Sequence, residues 1–451
     1  MEVINKYLSG TLVPIVLLLC SVFFFVKLRG RPLIKPISII KGALNSDKDR
    51  ATSFRALIMA LAGTLGVGNI VGVASAIALG GAGAVFWMWI SAILAMVLKY
   101  SEVLLAMLHK RSRQGEPYGG AMYYMMDFFA SCKKKGIGLV FTIVFTVFCL
   151  INGFSMGCII QANSISQSIN SVTTFSPVLI GIMLALLGVV VFFFNGTRVF
   201  KICETMIPFV SAIYIGISAF VIISSYERIP QIIGEIIRDA FSMESTGAGI
   251  FGFLTSRAVR YGTIRGLFSN EAGCGTSPIA HATSTRKSIT EQGFLGIVEV
   301  FIDTIVVCTA TAFVILLNKD VAMIHSTNPI MMVISAFEYT LGEYSKLLLC
   351  VSVFLFAFAT IVCWGYYGKE CVYFLNKSKT TEKIYYMFYT LFIFIGAFIS
   401  LDDVWQIADF AVGVMTLMNV LVLVLMSKEV KIETEKYYKK SPHKGALRFK
   451  E

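Results

Sequence analysis

The sequence predicts an all-α polytopic membrane protein, and three observations carry the prediction. Of the 451 residues, 56% are hydrophobic and 15% charged, with a mean hydropathy of +0.76; ordinary soluble domains do not have that balance. Apolar runs of about 20 residues, long enough to cross ~30 Å of hydrocarbon, recur eleven times. Basic residues crowd alternate connections between those runs, 30 against 5. That asymmetry explains a net charge of +12 by the positive-inside rule, without nucleic acid. It places the C-terminus in the cytoplasm, the N-terminus outside, and the chain in the cell membrane.

The runs fall at 11–28, 52–82, 84–108, 137–165, 177–196, 203–224, 247–280 (interrupted), 291–317, 345–372, 383–400 and 402–426. The first is not a cleavable leader, because its basic cluster, Lys27, Arg29 and Arg31, follows the apolar stretch. It is expected to remain as a peripheral helix. The connections at 29–51, 109–136, 225–246 and 318–344 are too short to bury cores of their own, so residues 1–451 form a single membrane domain. The 225–246 segment, with Tyr226, Pro230, Arg238 and Phe241, reads as an amphipathic helix on the outer surface. The charged tail, 427–451, is expected to fray in the cytoplasm.

Two runs are interrupted. In the second, Gly63-Thr64-Leu65-Gly66-Val67-Gly68-Asn69-Ile70 places three glycines in six residues before a polar amide. In the seventh, Gly266 to Pro278 carries Phe268, Ser269, Asn270, Glu271, Gly273 and Gly275. Within a bilayer, irregular backbone survives only where protein covers it or a cavity adjoins it. Setting the first run aside leaves ten, and each break falls in the first helix of a half of five, 52–224 and 247–426. Paired breaks of this kind indicate inverted repeats around a midplane site, with an odd number of spans turning one half upside down.

Half-helix N-termini offer N–H groups and partial positive charge, suited to a carboxylate; C-termini offer carbonyls, suited to a cation or ammonium. Missing β-carbons at Gly63, Gly66 and Gly68 let a ligand approach the backbone, and Asn69 adds an amide oxygen. The competing reading is close helix packing, which the four-residue spacing of Gly68 and Gly72 also allows.

Other classes fit less well. The ten cysteines are scattered and read as apolar fillers. The four histidines sit in loops or at ends, with no Ser/His or His/His/Glu cluster in a shared span, so an enzyme is not expected. No GxxxxGK[ST] loop supports ATP-driven transport. A channel filter would be repeated by oligomer symmetry, whereas the two breaks here are unlike and lie in one chain; a monomeric carrier is expected.

The stretches Gly63–Ile77 (GTLGVGNIVGVASAI), Gly80–Met88, Gly119–Tyr124, Gln161–Ile165, Arg265–Ala282 (RGLFSNEAGCGTSPIAHA), Phe301–Cys308 (FIDTIVVC), Phe356–Gly368 and Val404–Asp409 resemble the alanine or glycine:cation symporter family. The resemblance runs from the first span to the eleventh. It implies a five-plus-five inverted-repeat (LeuT-like) core preceded by one extra helix. It also implies uptake of alanine and glycine coupled to Na⁺, with H⁺ coupling or a substrate such as serine or glutamine as alternatives.

By that resemblance Gly66 and its neighbour Gly68 meet the substrate carboxylate with Thr64 alongside, Gln161 and Asn270 contact the substrate, Phe268 caps the pocket and Trp364 walls it. Sodium would be held by Asn69, the carbonyls of Ala62 and Leu65, and the Thr360 hydroxyl. The family's Ser-Thr pair is Ala359-Thr360 here, and its Gly-Asn pair is Gly157-Cys158. No cofactor beyond the coupling ion is implied. Asp303 and Glu271 are the candidate coupling acids, although Arg265 is near enough in sequence to pair with Glu271. Asp303 shares a helix face with Glu299 four residues earlier. Lys99 and Glu102, three apart, read as an interfacial ion pair.

Overall fold

The computed structural model describes residues 1–34, 48–194, 198–242 and 257–440. Seven helices among these are long and apolar enough to cross a membrane: Val3–Lys27, Gly83–Leu108, Lys135–Asn170, Val199–Ser224, Ile289–Leu317, Tyr344–Leu375 and Asp402–Leu425. The pair Thr52–Thr64 and Val67–Gly80, bent by 61°, makes an eighth if it counts as one span. Pro177–Phe193 is apolar but shorter, and the run at 383–400 forms the helix Lys379–Gly396. The seventh run is described from Arg257 onward, as Arg257–Asn270 and Ser277–His281. The protein is thus a multi-pass membrane protein, and its described residues are helical apart from loops and one small hairpin.

Gly83–Leu108 is the buried axis, with every residue from Ala95 to Met107 inside. The helices Arg257–Asn270 and Ile289–Val300 pack along it. Glycine makes several approaches possible: a Cβ at Gly262 would lie 2.2 Å from the Ala84 carbonyl oxygen. The N-terminal helix lies along Asp402–Leu425, with Asn5 Nδ2 donating to Gln406 O at 2.7 Å and Ser9 Oγ to Asp409 O at 2.6 Å.

Several connections are more ordered than the sequence suggested. The 109–136 segment holds the Arg111–Arg113/Glu116–Tyr118 hairpin and a helix, Ala121–Ser131. The 318–344 segment holds the helix Pro329–Leu341, begun by proline in its first turn and by Asn328 Oδ1 accepting from Met331 N. The expected surface helix is present as Ile229–Ala240, where Asp239 Oδ2 accepts from Gly83 N at 2.6 Å; 243–246 lie outside the described residues. The tail does not fray at its start. Ser427–Lys440 is helical, its Val430 is buried, and Thr434 Oγ1 lies 2.8 Å from Tyr100 OH; 441–451 lie outside the described residues.

Both glycine-rich segments do break their helices. The first stops at Thr64, passes through an extended Gly66 (φ −122°, ψ −154°), makes one 3₁₀ turn over Val67–Asn69 and resumes at Val71. The second passes through positive φ at Glu271 (52°), Gly273 (86°) and Gly275 (82°). Glycine suits the latter two positions, while a glutamate there stores local strain.

Candidate functional site

At the first break, three oxygens converge. Thr360 Oγ1, on the long Tyr344–Leu375 helix, lies 3.0 Å from Ala62 O and 3.4 Å from Leu65 O. These are carbonyls that the ending helix cannot use internally. Directly beside them Val67 N donates to Gln161 Oε1 at 3.2 Å and Gly66 N to Asn69 Oδ1 at 3.2 Å. The approach requires a bare Gly66, where a Cβ would sit 2.7 Å from Thr360 Oγ1 and 3.1 Å from Gln161 Oε1. Gln161 is aimed by a π-helical turn, Ser155–Ile159, immediately before it, and its Nε2 donates to Met156 O.

A second cluster ties the two breaks together through Asp303. The Asn69 Nδ2 group donates to Asp303 Oδ1 at 2.7 Å and to Ser269 Oγ at 2.9 Å; Ser269 and Thr304 hydroxyls both donate to Asp303 Oδ2 at 2.8 Å. Asp303 is wholly buried and sits in another π-helical stretch, Phe301–Cys308. Asn270 adjoins this cluster, donating to Thr304 Oγ1 at 3.1 Å and to Gly266 O. The Thr311 hydroxyl holds the Asn69 carbonyl at 2.9 Å. Asn69 therefore spans the site, its oxygen toward Gly66 and its amide nitrogen toward Asp303. Thr304 and Thr311 were not singled out in the sequence; short hydroxyl residues carry no signal until the fold places them.

Other candidates lie apart. Thr64 Oγ1 bonds back to its own helix at Ala60 O. Trp364 stands behind the break, with Nε1 donating to Gly63 O at 3.3 Å and its ring in the notch left by Gly157, where a Cβ would meet Trp364 Cγ at 2.3 Å. Phe268 faces the N-terminal helix, in a crevice with Val13, Pro14 and Leu17. Cys158 points to Tyr389 O, away from Gly66. Gly68 and Gly72 have open space where a Cβ would stand, so the close-packing alternative fails at both.

The ion pairs differ from the local ones expected. Glu271 accepts from Thr276 Oγ1, and Arg265 instead stacks over the Trp405 ring at 5.5 Å. Lys99 pairs with Glu299 (3.4 Å) and donates to Ser277 Oγ at 2.7 Å, all buried rather than interfacial. Glu102 accepts from Gly273 N and Gly275 N at 2.9 and 3.0 Å, answering donors that the second break leaves bare. His281 stands at the end of the short helix Ser277–His281 and is buried, with Nε2 3.0 Å from Glu299 and Nδ1 2.8 Å from Gln292.

A cleft of about 370 Å³ opens beside the first break. It is lined by Gly72, Ser75, Ser164, Gln167, Arg265 and Trp405, among others. Ser164 stands about one turn beyond Gln161, and Gly72 lies three residues beyond Asn69, so the cleft adjoins the elements that carry the site. It has room for a small molecule of a few heavy atoms.

Comparison with known proteins gives this geometry its context. The family model described as the sodium:alanine symporter family matches residues 1–451. The chain belongs to that family. Family membership makes the protein a symport-type amino-acid transporter and not an enzyme. Relatives include the sodium/alanine symporter AgcS of Methanococcus maripaludis, 31% identical with 96% of each chain covered. The amino-acid carrier protein AlsT of Bacillus subtilis is 33% identical, over 98% of this chain and 92% of the relative. The probable sodium/glutamine symporter GlnT of Bacillus subtilis is 31% identical, over 94% and 87%. Among solved structures, an Eremococcus coleocola manganese transporter shares the fold at a TM-score of 0.51 and 12% identity, covering 89% of this chain and 81% of that one.

Proposed function

We propose that the protein imports small neutral amino acids, alanine and glycine first, coupled to Na⁺ by alternating access. The observation that carries this reading is the convergence of Ala62 O, Leu65 O and Thr360 Oγ1 at the end of one half-helix, beside N–H groups of Gly66 and Val67 that side-chain amides hold. Three neutral oxygens suit a hard monovalent ion. A substrate carboxylate, a stronger acceptor than an amide, displaces Gln161 and Asn69 from those N–H groups. The substrate ammonium then faces the Asn69–Asp303 side of the site.

In this reading the core is a five-plus-five inverted repeat with eleven spans, 52–224 and 247–426, acting as a monomer with its N-terminus outside. Sodium and substrate binding to adjacent faces of one broken helix couples them: each favours the same local backbone, so each raises the other's affinity. Asp303 and Glu271 are the proton carriers if H⁺ replaces Na⁺, a substitution that the Ala359 position favours by removing one hydroxyl from the ion site. Named relatives acting on alanine and on glutamine keep both substrates in view. The test is equilibrium binding of labelled alanine to purified protein at varied NaCl with choline replacement. Binding that strengthens with Na⁺ is expected. Alanine binding indifferent to Na⁺ across pH 5 to 8 would remove the coupling.

A further inference from the structure

The N-terminal helix encloses a second, unrelated crevice. Between it and the Arg257–Asn270 helix lies a cavity of about 220 Å³ lined by Lys6, Gly10, Pro14, Ile15, Arg260 and Thr263, among others, with no acidic residue in its lining. Two buried donors in it, Arg260 Nε and Thr263 Oγ1, have no hydrogen-bond partner among the described residues. Thr263 is 1% exposed. Such groups are costly in a membrane unless something accepts from them. The helix is adapted to hold the guanidinium: Gly10 lies in a π-helical turn, Leu8–Leu12, and a Cβ there would come within 2.6 Å of Arg260 Nη2. The outer side of the same helix bares Leu12, Leu19 and Val22, as a lipid-facing surface does.

We propose that this crevice binds the phosphodiester headgroup of an anionic membrane phospholipid. Lys6 and Arg260 supply positive charge at one end. A phosphodiester offers one negative charge and several acceptor lone pairs, which match the guanidinium fork and the Thr263 hydroxyl. Pro14, Ile15 and Leu18 continue the crevice as an apolar wall for the first part of an acyl chain. A substrate amino acid would not need that wall. The lipid would pin the N-terminal helix to the broken helix that carries Ser269 and Asn270, without touching the transport site.

Native mass spectrometry of the full-length protein, released from detergent with equal phosphatidylglycerol and phosphatidylcholine, tests this. Phosphatidylglycerol is expected to remain bound preferentially. Arg260→Gln is expected to lower its retention about fivefold, the effect of one basic residue at a charged lipid surface. Thr263→Val, which keeps charge and shape, should lower it by a similar factor and guards against a misfolded Arg260 variant. Equal retention of both lipids by the unaltered protein, or unchanged phosphatidylglycerol in both variants, overturns the proposal. Displacement of the lipid by inorganic phosphate alone at millimolar concentration also overturns it, in favour of a free-anion site.

Discussion

Replacing Thr360 by valine isolates the proposed ion site. The hydroxyl lies 3.0 Å from Ala62 O and 3.4 Å from Leu65 O, and it is 2% exposed. Valine keeps the side-chain shape and removes only the oxygen, and Gly66 opposite has no Cβ for the new methyl to strike. An oxygen contacting a charge contributes roughly 1.5–3 kcal/mol. At about 1.4 kcal/mol per tenfold in affinity, the Na⁺ concentration for half-maximal alanine uptake should rise roughly ten- to hundredfold. The maximal rate at saturating Na⁺ should change far less. Thr360→Ser keeps the oxygen and should stay near the unaltered protein. The assay is initial uptake of labelled alanine into proteoliposomes at graded external NaCl. An unchanged Na⁺ half-saturation in Thr360→Val, with normal insertion and thermal stability, would falsify the assignment of Ala62, Leu65 and Thr360 as ion ligands.

Three further outcomes follow from the same geometry. Ala359→Ser restores the hydroxyl pair of the resembling family beside Thr360 and should lower the Na⁺ half-saturation about tenfold; titration of uptake against NaCl checks it. Gly66→Ala puts a Cβ 2.7 Å from Thr360 Oγ1 and should abolish uptake, whereas Gly68→Ala enters open space. The Gly68 variant should keep its thermal stability yet bind alanine more weakly; unaltered alanine affinity there would remove Gly68 from the substrate site. Lys99→Met strands Glu299 in the buried Lys99–Glu299–His281 cluster and should cost about 3–5 kcal/mol. The double variant Lys99→Met/Glu299→Gln should recover a good part of the lost melting temperature, as measured by a fluorescence thermal shift, because the unpaired charge is gone.

What the sequence reveals and what it conceals follow from the range of the interactions. The breaks at Gly66 and at Gly273 to Gly275 are legible because a helix in lipid needs a continuous ladder and glycine with polar neighbours interrupts it. The grouping of Ala62, Leu65 and Thr360 was reached through family resemblance, since nothing local joins residues about 300 positions apart. Lys99 shows the failure of local pairing. Its nearest acid along the helix is Glu102, but the second break supplies bare N–H groups at Gly273 and Gly275 that take that carboxylate, and Lys99 turns to Glu299. Glu271 and Arg265 fail similarly: the left-handed turn at Glu271 redirects its side chain to Thr276. The helix in 318–344 was missed because a 13-residue apolar segment is shorter than a span.

In the proposed cycle a gradient of Na⁺ drives a small amino acid through this site. The decisive assay uses proteoliposomes holding the purified protein, given labelled alanine with an inward Na⁺ gradient or an inward H⁺ gradient imposed separately. Accumulation above equilibrium under the Na⁺ gradient, lost when Na⁺ is equal on both sides, is the predicted result. Accumulation under the pH gradient alone would contradict Na⁺ coupling, and accumulation under neither gradient would contradict alanine symport itself.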